Sequence, residues 1–521
     1  MTNLRVGLYD LIVKGPTTLS EPSQRFMFGP TQGRGILAGW KLSQLLVVFG
    51  SALLALVLLN NFMPPANFFG CITVLSCGIL SATVTINSRK PIDWIPVVFR
   101  WLLSKYSDRK EVRHFFDKLP VPSFLKSLIR HRYFPTSNFQ DGHFPSGEPV
   151  MISGKRDLFG CKLLSGPFGA GVLYQPKSSI YICVIRLRGQ SFALLSPSER
   201  DLKVQSYATL LSSIARSSSN LFRIQWIDRS YPEDGQDLAN ISMNDSIDHP
   251  QALNSYAELI KQMPQKITSH ETVLALSIKE TRSIRNTKSP KSRQEMCFSL
   301  LLDEATLVVK ALERQGFPTD GILNFSAVSN LLARSYAQSP KGSIGWELSE
   351  SFPWPMKTSS EWDHLRTDAT FHSTYWISRW PLIPVGSDFL APLVLGQGVR
   401  KTLSVVLEPI PLGHAVREVE RAHTASLADE RLRSKAGYLI SAKSKRETSD
   451  VIQRENELAE GHLSYRFSGF VTVTAESKEQ LEQEKGVIKH LGAKAFLELR
   501  ELYGEQEQGF NATLPLCRGL S

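Results

Sequence analysis

Two long apolar runs near the N-terminus are the clearest pattern in the chain. Residues 42–59 and 66–86 are runs of 18 and 21 residues, and no charged residue occurs between Lys41 and Arg89. At about 1.5 Å per residue the second run spans about 31 Å, which matches the hydrocarbon core of a bilayer. Two asparagines and two prolines separate the runs. The pattern therefore predicts a transmembrane helical hairpin over residues 38–88, preceded by a cytoplasmic segment over residues 1–37.

Basic residues flank this hairpin on both sides, whereas its connecting loop contains no Lys or Arg. The asymmetry predicts a multi-pass protein of the cytoplasmic membrane with both termini in the cytoplasm. Residues 1–135 hold 16 Lys/Arg and 6 Asp/Glu, so they account for +10 of the net charge of +11. Because this excess lies where anionic lipid headgroups would be, the charge does not indicate nucleic-acid binding, and membrane lipids are the expected partner. The predicted membrane-interface residues are Lys41, Arg89, Lys90, Trp94 and Trp101.

Residues 89–118 follow the hairpin with apolar and basic positions at helical spacing. Val97 and Trp101 can share one face with Arg100 on another, and the two tryptophans have the amphipathic rings that favour the headgroup zone. We expect a juxtamembrane amphipathic helix; the alternative is an ordinary amphipathic helix packed against the rest of the protein. Proline, serine, histidine and glycine are then enriched without periodicity, which predicts a linker over residues 119–148.

The remainder alternates strand-like and helix-like patterns and predicts a cytoplasmic α+β domain with mixed sheets and packed helices. "NLFRIQWIDR" alternates apolar and polar positions like a strand, and residues 204–214 have helical spacing. We expect an α+β subdomain over residues 149–285, a helical subdomain over 286–345, and an α+β C-terminal subdomain with long helices over 346–521. The C-terminal half is expected to be the more helical.

Motifs for chemistry are weak in this sequence. The six cysteines form no C-x-x-C pair, so neither a disulfide framework nor a zinc site is predicted. "GPFGAG" has no lysine, and "GQGVRKT" has Lys401 at the wrong spacing to cradle phosphates. His364, Asp368 and His372 match no compact ligand pattern. We therefore predict no catalytic, cofactor-binding or metal-binding residue, and no binding or hydrolysis of ATP.

Several longer motifs resemble one family of proteins. "RFMFGPTQGRGILAGWKLSQ" and "RKPIDWIPVVFRWLL", which flank the apolar runs, are similar to the PrgI-like membrane proteins of Gram-positive conjugative type IV secretion systems, in their long actinobacterial form. "WDHLRTDATFHSTYWISRWP", "SVVLEPIPLGHAVREVERAHTASLADERLR", "GHLSYRFSGFVTVTA" and "LYGEQEQGFNATLPLCRG" resemble the same group and, more distantly, the N-terminal domain of VirB-type secretion ATPases.

The resemblance implies a non-catalytic inner-membrane assembly subunit of a conjugative type IV secretion system, which transfers DNA or protein. It would anchor a separately encoded P-loop secretion ATPase, contact other channel subunits and assemble as an oligomer. In the related ATPases, a nucleotide-binding domain follows an N-terminal domain of this kind, just past the part that corresponds to residues 467–520. We therefore expect residues 467–520 to seat that domain, with Tyr503 and Phe510 as partner-docking anchors; the alternative is that both merely pack locally. Two other functions stay open: a core component of a type VII-like secretion system, and a membrane-tethered enzyme with an unrecognised site.

Overall fold

The computed structural model describes a large part of the chain. The described residues are 2–4, 42–61, 66–85, 89–102, 161–189, 195–216, 220–233, 267–336, 355–435 and 464–520, with short gaps inside some ranges and isolated positions between 449 and 456. The predicted linker, residues 119–148, and Lys41 lie outside the described residues.

One antiparallel sheet of 13 strands organises the described residues. The predicted fold class is wrong here, because every pairing is antiparallel where mixed sheets were expected. The order is β2-β3-β4-β6-β5-β11-β12-β10-β9-β8, while β1 pairs with β12, β7 with β4 and β13 with β10. The strands are β1 Thr2–Leu4, β2 Lys162–Ser165, β3 Gly171–Gln175, β4 Ile180–Leu187, β5 Leu221–Glu233, β6 Ile267–Lys279, β7 Thr319–Ile322, β8 Thr358–Ser360, β9 Leu365–Thr367, β10 Thr370–Arg379, β11 Lys401–Ile410, β12 Ser464–Ala475 and β13 Glu498–Glu501.

Helices cover both faces of the sheet. The helices are α1 Leu42–Asn61, α2 Ala66–Thr83, α3 over residues 91–102, α4 Pro197–Arg216, α5 Arg282–Arg285, α6 Pro290–Arg314, α7 Phe325–Tyr336, α8 Ala391–Val394, α9 Leu412–Lys435, α10 Lys478–Lys494 and α11 Gln506–Asn511. Apolar side chains of α4, α6, α8 and α10 form the larger core on one face. Those of α7, α11 and the segment that follows α11 form a second core on the other face.

The sheet consists of two halves with the same topology. In the first half, β4, α4, β5, β6, α6 and β7 follow one another, and in the second half β10, α8, β11, β12, α10 and β13 do the same. In both halves the last strand pairs with the first, the first with the third, and the third with the second. This is the β-α-β-β-α-β arrangement of ferredoxin-like domains. A hairpin precedes each unit (β2–β3 and β8–β9), and a helix follows it (α7 and α11).

The two halves meet at a pseudo-two-fold axis between β5 and β11. In the first half Gln225 of β5 lies opposite Ala275 of β6, and in the second half Thr402 of β11 lies opposite Thr472 of β12. Gln225 and Thr402 therefore occupy equivalent positions in the two halves. Two residues further along each strand are Ile227 and Ser404, and these pair with each other. Equivalent positions that pair across the join are what a local two-fold relation requires.

The segment after α11 crosses this join on the face that also contains α7. Gln225 donates from Nε2 to the carbonyl oxygens of Ala512 and Leu514, both at 2.8 Å. Its Oε1 accepts the Cys517 N–H at 2.7 Å, and Ser404 Oγ donates to the Ala512 oxygen at 2.8 Å. These side chains satisfy backbone groups that are buried on the sheet, so the segment is part of the folded core.

The predicted transmembrane hairpin is wrong, although α1 and α2 do form a helical hairpin. Within the described part of the chain, no helix combines the length and the apolarity that a membrane span needs. α2 has 18 residues, about 27 Å, and ends at Thr83 rather than at Ile86. α1 has polar residues at both ends, so its apolar part is shorter than the helix. The predicted multi-pass membrane location and its topology are overturned by the same finding.

Candidate interaction site

The outer edge of the second half, where β13 pairs with β10 beside α10, differs chemically from the outer edge of the first half, where β7 pairs with β4 beside α6. α6 and α10 end in the same cap, with Gly316 and Phe496 at matching positions, so Lys485 is the counterpart of Ala305. On the neighbouring strands, Glu501 pairs with Tyr375 where Ile322 pairs with Ile185. The first half therefore has a buried alanine and a half-buried isoleucine where the second half has a buried lysine and a buried glutamate.

Lys485 lies at the centre of this polar cluster and is 6% exposed. Its Nζ lies 2.8 Å from Glu482 Oε1, 3.1 Å from Glu501 Oε1 and 3.4 Å from Asp363 Oδ2. Glu501 also accepts a hydrogen bond from the Tyr503 hydroxyl at 2.8 Å. A buried charge is stable only with partners of this kind, because desolvation strongly disfavours an isolated ion.

The ion pairs shift the pKa values of the cluster. Burial alone would lower the pKa of Lys485, but hydrogen bonds and charges from Glu482, Glu501 and Asp363 outweigh it and raise the pKa to about 12. Burial raises the pKa of Tyr503 to about 12, with a further contribution from its bond to Glu501. Burial would also raise the pKa of Asp363, yet its bond to His364 and the nearby Lys485 lower it. The lysine and Asp363 are therefore charged at neutral pH.

Four aromatic rings extend this cluster to helix α3. Trp362, at the tip of the β8–β9 hairpin, lies 5.7 Å from Trp94, 5.3 Å from Trp101 and 6.5 Å from Tyr503 between ring centroids. Trp94 is 6.3 Å from Tyr503. These are distances at which aromatic rings attract each other beyond simple burial. The rings attach α3 to the second half.

Two further contacts fix the start and the middle of α3. Arg89 Nη2 lies 2.5 Å from Glu505 Oε2, and its guanidinium lies over the Trp94 ring at 5.4 Å. Gly504 has a φ of +70°, and a Cβ there would lie 2.6 Å from the Trp362 ring and 3.1 Å from Val97. Glycine is thus required for the conformation and for the close approach of α3.

The opposite face of α3 is apolar and exposed. Ile95 is 66% exposed, Phe99 64% and Leu102 53%. Their spacing of four and three residues places them in one row on the helix surface. The hairpin α1–α2 also exposes large apolar side chains, among them Leu46, Phe49, Leu53, Phe68, Phe69 and Ile72. Contiguous apolar surfaces of this kind mark interaction sites.

The structure brings together residues that the sequence had assigned to two different sites. Arg89, Trp94 and Trp101, predicted to face lipid headgroups, contact the same cluster as Tyr503, predicted to dock a partner. Lys90 is half-buried next to them. The amphipathic helix thus packs against the protein, which is the alternative that its sequence pattern also allowed. Whether these residues meet a partner as well stays a prediction.

Phe510 lies elsewhere, in the core under α11. It is 2% exposed, and its ring centroid lies 4.4 Å from that of His372 and 5.6 Å from that of Tyr336. Its docking role stays a prediction, but such a buried ring would influence a partner only through the local fold. Trp362, Lys485 and Glu501 were not predicted. The signal available for Lys485 was its place in the apolar row of α10, between Leu481 and Ile488.

Two residues from the sequence motifs considered for chemistry, His372 and Lys401, are buried and hydrogen-bonded within the fold. His372 is hydrogen-bonded to Thr474 through Nδ1 at 2.9 Å and to Thr367 through Nε2 at 2.6 Å. Burial, together with the charge of Arg400, holds the pKa of His372 well below its usual value. Burial likewise lowers the pKa of Lys401 to about 8, and Lys401 Nζ donates to the Gly396 oxygen. Among the residues that the structure describes, no group of His, Cys, Asp and Glu is arranged to hold a metal ion.

Comparisons with known proteins place the chain in no family. No family model matches it. No curated protein is significantly similar to it. The predicted description as a membrane protein of a secretion system therefore gains no support from relatives, and its membrane part is contradicted by the helices.

Proposed function

We propose that this protein is a non-catalytic assembly subunit that holds a separately encoded P-loop ATPase at the outer edge of its second half. The edge comprises the polar cluster around Lys485, the four aromatic rings and the exposed row on α3. The class of partner comes from the motifs that resemble the N-terminal domain of VirB-type ATPases.

The observation that supports this proposal most is the contrast between the two faces of α3. One face is fixed to the second half by Trp94 and Trp101, while the other exposes Ile95, Phe99 and Leu102. An attached helix with an exposed apolar row is pre-organised for binding, because its ordering cost has been met before the partner arrives. Apolar anchors on a rigid support are typical of the centres of protein interfaces.

Site-specific photo-crosslinking tests the proposal in the full chain expressed in its native cells. Benzoylphenylalanine replaces Phe99, and in a control it replaces Leu307, a 60% exposed residue of α6 in the first half. We expect position 99, and not position 307, to crosslink to a protein that contains the motif G-x-x-x-x-G-K-[ST].

Three outcomes would contradict the proposal. These are crosslinks from position 99 only to lipid, crosslinks to proteins that lack a phosphate-binding loop, and equal crosslinking to the ATPase from position 307. A second variant, Ile95→Glu, should reduce co-purification of the ATPase at least tenfold without changing the unfolding midpoint, because Ile95 is exposed.

A further inference from the structure

A small polar cavity lies at one end of the join between β5 and β11, on the face of the sheet that also contains α7 and α11. It measures about 10 Å³, which is room for a single water molecule or a single small ion. The residues that line it are Arg229, Ser335, Arg400, Thr402, Thr474, Phe510, Thr513 and Leu514. Two arginines therefore meet at one cavity, and none of the described residues that line it is acidic.

The local two-fold relation provides a matching end of the join for comparison. Gln225 and Thr402 are equivalent, so Arg223, two residues before Gln225, is equivalent to Arg400, two residues before Thr402. Arg223 donates from Nε to Glu408 Oε2 at 2.7 Å. At this end of the join the chain itself thus supplies a carboxylate to the arginine.

The cavity end of the join has no counterpart of this carboxylate. By the same two-fold relation, the position equivalent to Glu408 is Tyr231. The position equivalent to Val406, which is fully buried, is Arg229. Of these matched positions, one end has an arginine and a glutamate and is neutral, whereas the cavity end has two arginines and no acidic residue.

Other neighbours offset only part of this charge. Arg229 Nη1 lies 3.5 Å from Glu271 Oε2, but Glu271 Oε1 also binds Arg186 at 2.7 Å. Burial raises the pKa of Glu484, which the charge of Arg400 lowers again, to about 7, so Glu484 is only partly charged at neutral pH. Both lining arginines donate to carbonyl groups near the C-terminal end of α7, at 3.1 and 2.7 Å, where the helix has about half a negative charge. Because a guanidinium stays protonated in proteins, positive charge remains in excess among the described residues.

We infer that the cavity binds one small inorganic anion, a halide such as chloride, between Arg229 and Arg400. A guanidinium has five N–H donors, so each arginine can bond to α7 and also donate to an anion. The volume admits a monatomic ion and is too small for a phosphate group. The ion takes the role that the Glu408 carboxylate has at the other end of the join, and it holds α7 on the sheet. This site is independent of the surface proposed for the ATPase.

A chloride titration of the purified full chain tests the inference. Sodium chloride replaces sodium gluconate at constant ionic strength, so that general screening of charges does not change. We expect the midpoint of thermal unfolding to rise by several degrees and to saturate, because an anion that binds only the folded chain stabilises it. The NMR signal of chloride should broaden in the presence of the protein. A midpoint that is independent of chloride, or an unbroadened signal, would mean that the cavity holds water and would overturn the inference.

The variant Tyr231→Glu makes the cavity end resemble its counterpart. It places a carboxylate beside Arg400 as Glu408 lies beside Arg223, so the chloride dependence and the broadening should both disappear. Arg223→Gln is the matched control: it loses the bond to Glu408 and should unfold at a lower temperature, with its chloride dependence unchanged.

Two results with these variants would refute the site. One is a chloride dependence that persists in Tyr231→Glu, and the other is its loss in Arg223→Gln. If Tyr231→Glu fails to fold, Arg400→Gln makes the same test by removing one of the two guanidinium groups, and the shift caused by chloride should then fall at least fivefold.

Discussion

The two halves of the sheet share a topology, but different parts of each half are covered by helices and different parts are exposed. In the second half the aromatic residue at the hairpin tip, Trp362, is covered by α3. In the first half the corresponding tip residue, Phe168, is fully exposed and has a φ of +57°. At the helix ends the relation is reversed, because α4 covers the end of α6 while the end of α10 lies beside a groove.

The difference between the two halves indicates which residues of the second half are not required by the shared topology. The first half shows that the topology is satisfied by Ala305 and Ile322, which are apolar or small. The second half has Lys485 and Glu501 at these places, so its outer edge needs ion pairs that the topology does not demand. Departures from local folding rules that lack a gain in stability are expected at functional sites.

The largest effect should come from removing the buried lysine. Lys485→Ala, which introduces the residue of the first half, leaves the buried Glu501 with the more exposed Lys489, at 3.3 Å, as its remaining cationic partner. We expect a loss of about 3 kcal/mol in the free energy of unfolding, measured by urea titration. The double variant Lys485→Ala/Glu501→Ile should recover most of this loss, since it adopts both first-half residues. A double variant less stable than the single one would show that the halves are not interchangeable here.

A second comparison concerns Lys401, whose counterpart in the first half is the core residue Ile224. Its pKa falls from the ordinary 10.5 to about 8 in the folded protein. Between these two values the unfolded chain binds more protons, so stability should rise as the pH increases from 8 to 10.5, by about 3 kcal/mol. Lys401→Ile should remove this rise relative to the wild type and increase stability at pH 7. Parallel pH profiles of the two proteins would contradict the assignment.

Truncating the two hairpin tips should distinguish a covered ring from an exposed one. Trp362→Ala should lower the free energy of unfolding by about 2 kcal/mol, because a half-buried aromatic group is lost. It should also speed trypsin cleavage after Arg100, since α3 loses its main contact. Phe168→Ala is the matched control and should change stability by less than about 0.5 kcal/mol. Equal effects at the two tips would refute the contrast.

The smallest expected effect is at the helix ends. Gly316→Ala should lower the free energy of unfolding by about 1 kcal/mol, because alanine is strained at the positive φ. Steric contact adds little to this loss, since the new Cβ would meet only the end of the flexible Lys203 side chain. Phe496→Gly should have the opposite sign and a smaller size, since it relieves that strain but loses partial packing of the ring. Thermal unfolding of the two variants measures both. A stabilising Gly316→Ala would mean that the end of α6 is not held as described.

The local elements could be read from the sequence more readily than their arrangement. The alternating pattern of "NLFRIQWIDR" corresponds to the first part of β5, and the helical spacing of residues 204–214 corresponds to part of α4. The duplication could not be read, because its signal lies in strand pairing and because one matching helix has 20 residues and the other 4. Pairings between strands far apart in sequence leave no local pattern.

The candidate site was read only in part. The helix that contains Trp94 and Trp101 was recognised as amphipathic, but an apolar face fits a protein surface as well as a bilayer, and periodicity does not separate the two. Tyr503 was selected, but its neighbour in space, Trp362, was not, because their contact depends on β9, β10 and β13 lying side by side. The apolar runs were misread as spans because hydroxyl and amide residues at their ends shorten the apolar part of each helix.

The join between β5 and β11 has a consequence for self-association. Each half, taken alone, would end in one of these strands, of 13 and 10 residues, and a long unpaired strand invites further strands to add. Because the two halves use these edges on each other, the sheet of described strands ends instead at β1, β2, β7, β8 and β13, which have 3 or 4 residues each. Short edges offer few backbone groups to an incoming chain. Duplication has thus limited the sheet to two units and protected it against open-ended growth.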